Sequence, residues 1–246
     1  MSLFQAPQPT QLDLKFRIFG FNVRVHPLFW LIAILFGSSS GSLSRILSWV
    51  IAVFVSILVH ELGHTFAMRY YGQDSHIVLH GFGGLAIPLP SFGYKSGGPR
   101  TPWHQIFISF AGPLAGFLLA AVICLVIWAV GGTVFFDWLF NFIPRPIAFL
   151  PSGYSMGDTL VNDFLWINTF WGLINLLPVF PLDGGRIARE LFILSGDKAA
   201  IVNSLWLSVI TGGLLALLAM VYLNSIYMAL LFGILAFQSY GALQRG

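Results

Sequence analysis

From Leu12 to Val25 apolar and polar residues alternate: Leu12, Leu14, Phe16 and Ile18 against Asp13, Lys15 and Arg17, then Val23 and Val25 against Asn22 and Arg24. A period of two on both sides of Gly20 predicts a small N-terminal β-hairpin at the membrane surface. Pro27 then opens the apolar run LFWLIAILFG, which must continue through Ser38 to Leu43 to cross a hydrocarbon core of about 30 Å. Further apolar runs at Ile46–Tyr71, Ile106–Val130, Leu160–Leu177, Ile201–Leu223 and Ile226–Leu243 bring the expected crossings to six. Between the second and third, residues 72–102 turn polar and rich in Gly and Pro, yet Ile77–Leu89 (IVLHGFGGLAIPL) stays apolar without a helical period. That stretch is expected to be a glycine-kinked strand pair or a re-entrant segment. Gly131–Asp163 is expected to be a loop with an interface-like stretch, and a short helix at Ile187–Leu194 precedes the last two crossings. The fold class is therefore an all-α polytopic membrane protein of about six transmembrane helices, with the hairpin and the glycine-rich strand or re-entrant segment as additions.

Composition agrees: 57% of the 246 residues are hydrophobic and 9% are charged, against about 25% charged in a soluble domain. A soluble globular fold is excluded. The formal charge of +3 arises from 12 Lys and Arg against 9 Asp and Glu, too sparse for a nucleic-acid groove, so no nucleic-acid partner is expected. A lone cysteine, Cys124, cannot form an internal disulfide, and a start without a basic residue followed at once by an apolar run speaks against a cleaved signal peptide. Six crossings place both termini on one side. On that path Lys15, Arg17, Arg24, Arg69, Lys95, Arg100, Arg186, Arg189, Lys198 and Arg245 share a side and only Arg45 and Arg145 lie opposite, so both termini are expected in the cytoplasm.

His60-Glu61-Leu62-Gly63-His64 sets two imidazoles four residues apart on one face of a helix, with a carboxylate beside them. This is the spacing of a hydrolytic zinc site, and ionisable groups at membrane depth persist where they pair, bind ions or react. The plainer alternative is a His-Glu-His hydrogen-bond network that ties helices together. Glu61 stands 16 residues past Arg45, about 24 Å along a helix, which puts the group inside the membrane nearer the cytoplasmic face. A catalytic zinc needs a third protein ligand, and Asp183 is the acid available at membrane depth. It follows Pro178 and Pro181, which break a helix, and precedes Gly184 and Gly185. The alternative for Asp183 is a cap on the helix starting near Gly185. His26 and His104 read as interfacial residues. His76 and His80 flank the glycine-rich segment, and His80 stays outside the ligand set.

With these motifs the chain resembles the site-2 proteases, which are intramembrane zinc metalloproteases. The resemblance rests on HELGH at His60–His64, NLLPVFPLDGG at Asn175–Gly185, the Gly81–Gly84 segment between them and AGP at Ala111–Pro113. It implies one zinc held by His60, His64 and Asp183, Glu61 as general base, and Asn175 near the substrate. It is to a minimal form, without the PDZ or CBS domain that many relatives carry, and many members have Asn where this chain has Gly116. The expectation is a single membrane-embedded metalloprotease domain over residues 1–246, with a catalytic core of about 44–196, in a prokaryotic cell membrane. Its partners would be the lipid bilayer and a membrane-protein substrate with a transmembrane helix. Such a helix must unwind to expose a carbonyl, and a strand edge can hold it extended. Ile77–Leu89, with Gly83 and Gly84 as substrate-binding positions, is the candidate edge; a loop that plugs the cytoplasmic mouth is the alternative. A non-catalytic relative or an ion-binding transporter could use the same broken helix, but neither needs a general base between two imidazoles.

Overall fold

The computed structural model describes residues 6–38, 41–89, 101–139, 143–151 and 156–244. The elements follow in the order β1 (Leu14–Ile18), β2 (Phe21–Val25), α1 (Pro27–Gly37), α2 (Leu43–Tyr70), β3 (Ser75–His80), β4 (Gly83–Pro88), α3 (Pro102–Ala129), β5 (Thr133–Leu139), β6 (Ile143–Phe149), α4 (Met156–Asn175), α5 (Asp183–Leu194), α6 (Ala200–Val221) and α7 (Ile226–Leu243). They divide into two compact units whose boundaries fall inside α3 and α4. Among the described residues four helices, α2, α3, α6 and α7, are long and apolar enough to cross a membrane, as in a multi-pass membrane protein.

Two expected crossings differ from these four. The first ends at Gly37: α1 has 11 residues, about 16 Å at 1.5 Å per residue, well short of the hydrocarbon core. The other is α4, long enough at 20 residues but carrying Asp158 and Asp163 and less apolar than the four. Three cations used in the topology count, Lys95, Arg100 and Arg245, lie outside the described residues.

One unit, residues 5–97 and 111–173, carries a four-stranded sheet in the order β1-β2-β3-β4. The β1–β2 hairpin turns through Phe19 and Gly20, both at positive φ (48° and 85°), as a two-residue turn between right-twisted strands requires. Arg69, near the end of α2, fastens this turn by donating to the Phe19 carbonyl (2.8 Å) while its guanidinium lies 3.5 Å from the Phe21 ring centre. Outside the turn, Asp13 is bonded by Thr10 and ion-paired with Arg24 at 3.0 Å, and these contacts outweigh burial and hold its carboxyl down to about 2. After α1 and α2 the chain returns and β3 pairs with β2 in parallel, Val23 facing Ile77 and Val25 facing Leu79. The apolar face so formed, Phe21, Val23, Val25, Ile77 and Leu79, packs on Phe29 of α1 and Ile57, Leu58 and Leu62 of α2. The sheet is therefore seated on the segment of α2 that carries His60 and His64. His26, expected at an interface, caps α1: its Nδ1 accepts from the Leu28 N–H at 3.2 Å and Pro27 takes the first helical position.

The all-α reading is corrected where β5 (Thr133–Leu139) and β6 (Ile143–Phe149), expected to be loop, pair as antiparallel strands. The pair is tied to α4 by side chains. Asn162 bonds both the N–H (3.1 Å) and the carbonyl (2.7 Å) of Ala148, and Asp158 accepts from the Leu150 N–H at 2.6 Å. These bonds satisfy the outer backbone positions of β6, where Pro144 and Pro146 supply no donor.

The other unit, residues 98–110 and 174–246, contains the end of α4, α5, α6 and α7. Asn175 closes α4, and tight turns follow, with Val179 N–H donating to Leu177 O (2.7 Å) and Leu182 N–H to Val179 O (2.9 Å). Helix α5 begins at Asp183 itself, four residues earlier than the sequence suggests.

Candidate metal centre

Helix α2 aligns His60, Glu61 and His64 by its own pitch, and all three are buried, at 5%, 5% and 7% exposure. The His60 and His64 Nε2 atoms are 3.1 Å apart, and the ligand atoms of the three side chains lie within 4.8 Å of one another. Two nitrogens each about 2.0–2.1 Å from one tetrahedral ion stand about 3.3 Å apart, so the pair is set at the separation a shared zinc requires. Among the described residues this is the one group of His, Cys, Asp or Glu that meets the geometry of an ion site.

Glycines let the surrounding backbone reach these side chains. A Cβ on Gly63 would collide with the Ala111 carbonyl of α3, and one on Gly112 would fall on the His64 imidazole and 2.8 Å from His60 Nε2. Helix α3 thus presses its bare backbone at Gly112 against both rings, and Pro113 beside it is fully buried. From the sheet side, a Cβ on Gly84 would run into the Glu61 carboxylate, and Gly83, at φ +125°, sits under the Trp171 ring of α4. β4 lies at the edge of its sheet, with β3 as its one strand partner. Glu61, the histidine pair and a strand edge therefore meet in one unit.

Three residues that the sequence reading passed over, Asn168, Ser56 and Ser48, tie α2 to α4. Asn168, 3% exposed, donates to Ser56 Oγ at 2.8 Å, one turn before His60, and to its own Phe164 carbonyl at 2.9 Å. The Asn168 carbonyl oxygen faces Gly116, where a Cβ would stand 3.2 Å from it. Ser48 donates to Asp163 at 2.7 Å two turns further along. The signal available in the sequence was an amide and two hydroxyls inside apolar helices, which pack between helices as polar ties.

His80 is not in the ion-binding group. It sits at the end of β3, where its Nδ1 accepts from the Phe82 N–H (3.4 Å), and burial, followed by the charges of His26 and Arg24, pushes its pKa down. Asn175 and Asp183 belong to the other unit, at the two ends of one connector, and both are buried at 8% and 7% exposure. Asp183 is the first residue of α5 and Leu182 occupies the cap position, so the expected alternative of a side-chain cap takes a different form. A carboxylate at the first position favours the helix dipole by about 0.3–1 kcal/mol.

A helix long and apolar enough to span a membrane thus carries a buried H-E-x-x-H group with the geometry of an ion site. Residues 48–219 match the sequence model of peptidase family M50, and the chain belongs to that family, which includes the site-2 proteases. It is similar to a zinc metalloprotease of Methanocaldococcus jannaschii, 30% identical over 234 residues covering 89% of this chain and 55% of that protein. Rip3 of Mycobacterium tuberculosis is 27% identical over 191 residues, 70% of this chain and 42% of that protein. The chain thus spans about half the length of these relatives. Among solved structures, the site-2 protease from Methanocaldococcus jannaschii superposes with a TM-score of 0.56 at 26% identity, covering 94% of this chain and 95% of that one.

Proposed function

We propose that the protein is an intramembrane zinc metallopeptidase that hydrolyses peptide bonds within or near the transmembrane segments of membrane-protein substrates. The observation that carries this reading is the buried His60–His64 pair, 3.1 Å apart with Glu61 beside it, inside an apolar helix of 28 residues. Relatives named zinc metalloproteases support the metal and the reaction class. His60 and His64 hold the ion through neutral Nε2 atoms, and Asp183 supplies the third, anionic ligand. Zinc, when bound, brings the pKa of its water to about 7 and polarises the scissile carbonyl. Glu61 takes a proton from the attacking water on its carboxylate and returns it to the amine that leaves. Gly83 and Gly84 on β4 hold the unwound substrate by backbone pairing along the strand edge, and Asn175 contacts it from the end of α4. Six crossings, the four long helices together with α4 and a first span that begins with α1, place both termini in the cytoplasm and the metal toward that face. The chain works as a single membrane-embedded domain with its catalytic core at about 44–196.

The test is substrate trapping. A Glu61→Gln form expressed in native membranes is expected to retain chains with a transmembrane segment that the wild type releases as fragments. Recovery of the same uncut proteins with both forms would contradict a protease.

A further inference from the structure

Helices α6 and α7 carry none of the motif residues, yet they hold the connector that presents Asp183. The peptide unit at its centre, Phe180, is bonded on both sides by serines from these two helices. The Phe180 N–H donates to Ser208 Oγ at 3.0 Å, and the Ser239 hydroxyl, whose one proton is shared with the Leu235 carbonyl, stands 3.1 Å from the Phe180 carbonyl. Both hydroxyls are buried, at 1% and 0% exposure. Ser208 spends its own proton on the Ser204 carbonyl, 2.8 Å away, so its lone pair is oriented toward Phe180. Ser239 lies between the Leu235 carbonyl at 3.0 Å and the Phe180 carbonyl. The rest of the connector leaves little slack. A Cβ on Gly184 would collide with the Leu176 and Leu177 carbonyls, and one on Gly185 with the Phe180 nitrogen. Phe180 is clamped three residues before Asp183, and the first turn of α5 is packed onto the same stretch of backbone.

We infer that Ser208 and Ser239 are positioning residues for the metal centre: they fix the connector so that the Asp183 carboxylate is presented in one orientation. The inference rests on the proposed ligand role of Asp183. A metal site tolerates about 0.2 Å of error in its ligand distances. A connector free to shift by more than that would dissipate affinity. Outer partners that orient ligands typically change metal affinity 10- to 100-fold. The bland alternative is that the serines only satisfy a buried peptide, in which case their loss lowers stability without selectivity for metal.

The experiment measures zinc affinity by chelator competition on the full chain in lipid nanodiscs, together with the melting temperature of the metal-free form. The variants are Ser208→Ala, Asp183→Asn, their combination, and Ser204→Ala as a buried α6 serine whose hydroxyl bonds its own helix at the Ile201 carbonyl, 2.8 Å away. Ser208→Ala is expected to weaken zinc binding about 10- to 100-fold, Ser204→Ala to leave it unchanged, and Ser208→Ala to add nothing in the Asp183→Asn background, because the serine acts through that ligand. A lower melting temperature with zinc affinity within about twofold of wild type, or an undiminished effect without Asp183, overturns the inference. If Asp183→Asn itself binds zinc as the wild type does, the ligand reading fails, and the inference with it. If Ser208→Ala does not accumulate, Ser239→Ala is judged by the same criteria.

Discussion

Gly112→Ala adds a single methyl group at the point where α3 meets both imidazoles. Its Cβ would overlap the His64 ring and stand 2.8 Å from His60 Nε2, whereas unstrained contact needs about 3.4 Å or more. The His60 nitrogen alone must then move by about 0.6 Å, three times the error a metal–ligand distance accommodates. Overpacking of this kind costs about 1–3 kcal/mol, which, drawn from metal binding, is a loss of about 5- to 150-fold in zinc affinity. The assay is chelator competition on purified protein, with Gly213→Ala as the control. Gly213 sits in α6 with nothing within 4 Å of its Cβ position, so there Ala is expected to be neutral or to stabilise by up to about 1 kcal/mol. Wild-type zinc affinity in Gly112→Ala, with the fold retained, would refute the claim that this glycine exists to let backbone approach the metal ligands.

Three further outcomes are expected. Glu61→Gln keeps zinc and thermal stability near wild type but loses peptide cleavage by at least about 100-fold, measured on a reconstituted substrate; comparable turnover would remove Glu61 as the base. Gly84→Ala, whose methyl meets the Glu61 carboxylate, lowers kcat more than it lowers zinc content, and equal loss of both would mean that β4 supports the metal rather than the base. In a Cys124→Ala background, a membrane-impermeant thiol reagent applied to intact cells labels a cysteine at the exposed Thr133 but not one at the exposed Asp74, and the opposite pattern reverses the topology.

Much of this was legible in the residues because helical geometry is local. The four-residue spacing of His60 and His64 needs nothing but the pitch of α2 to bring their nitrogens together. The long helices α2, α3, α6 and α7 follow from apolar length alone. What the pattern concealed depends on distant partners. The parallel pairing of β2 with β3 brings together strands separated by α1 and α2, and no feature of Val23 or Ile77 announces it. The pairing of β5 with β6 was hidden by Pro144 and Pro146, which supply no ladder donor, while Asn162 of α4 bonds the strand at Ala148. The first crossing is the one that apolar length does not establish, because serine follows Gly37, where the helix ends. The AGP motif at Ala111–Pro113 was legible as a motif, but a motif cannot say that the neighbours of Gly112 are the His60 and His64 rings. The part of Ser208 and Ser239 was equally out of reach, since a serine in an apolar helix shows no partner until the connector is folded onto it.

The measurement that bears most directly on the central claim is the metal content of the purified protein, determined by elemental analysis for the wild type and for His64→Ala. Wild-type protein is expected to carry about one zinc per chain, because two neutral imidazoles and a carboxylate suit that ion better than a hard cation. His64→Ala should lose it while still inserting in the membrane. Folded wild-type protein without zinc, or the same zinc content after His64→Ala, would contradict a metal centre built on His60 and His64.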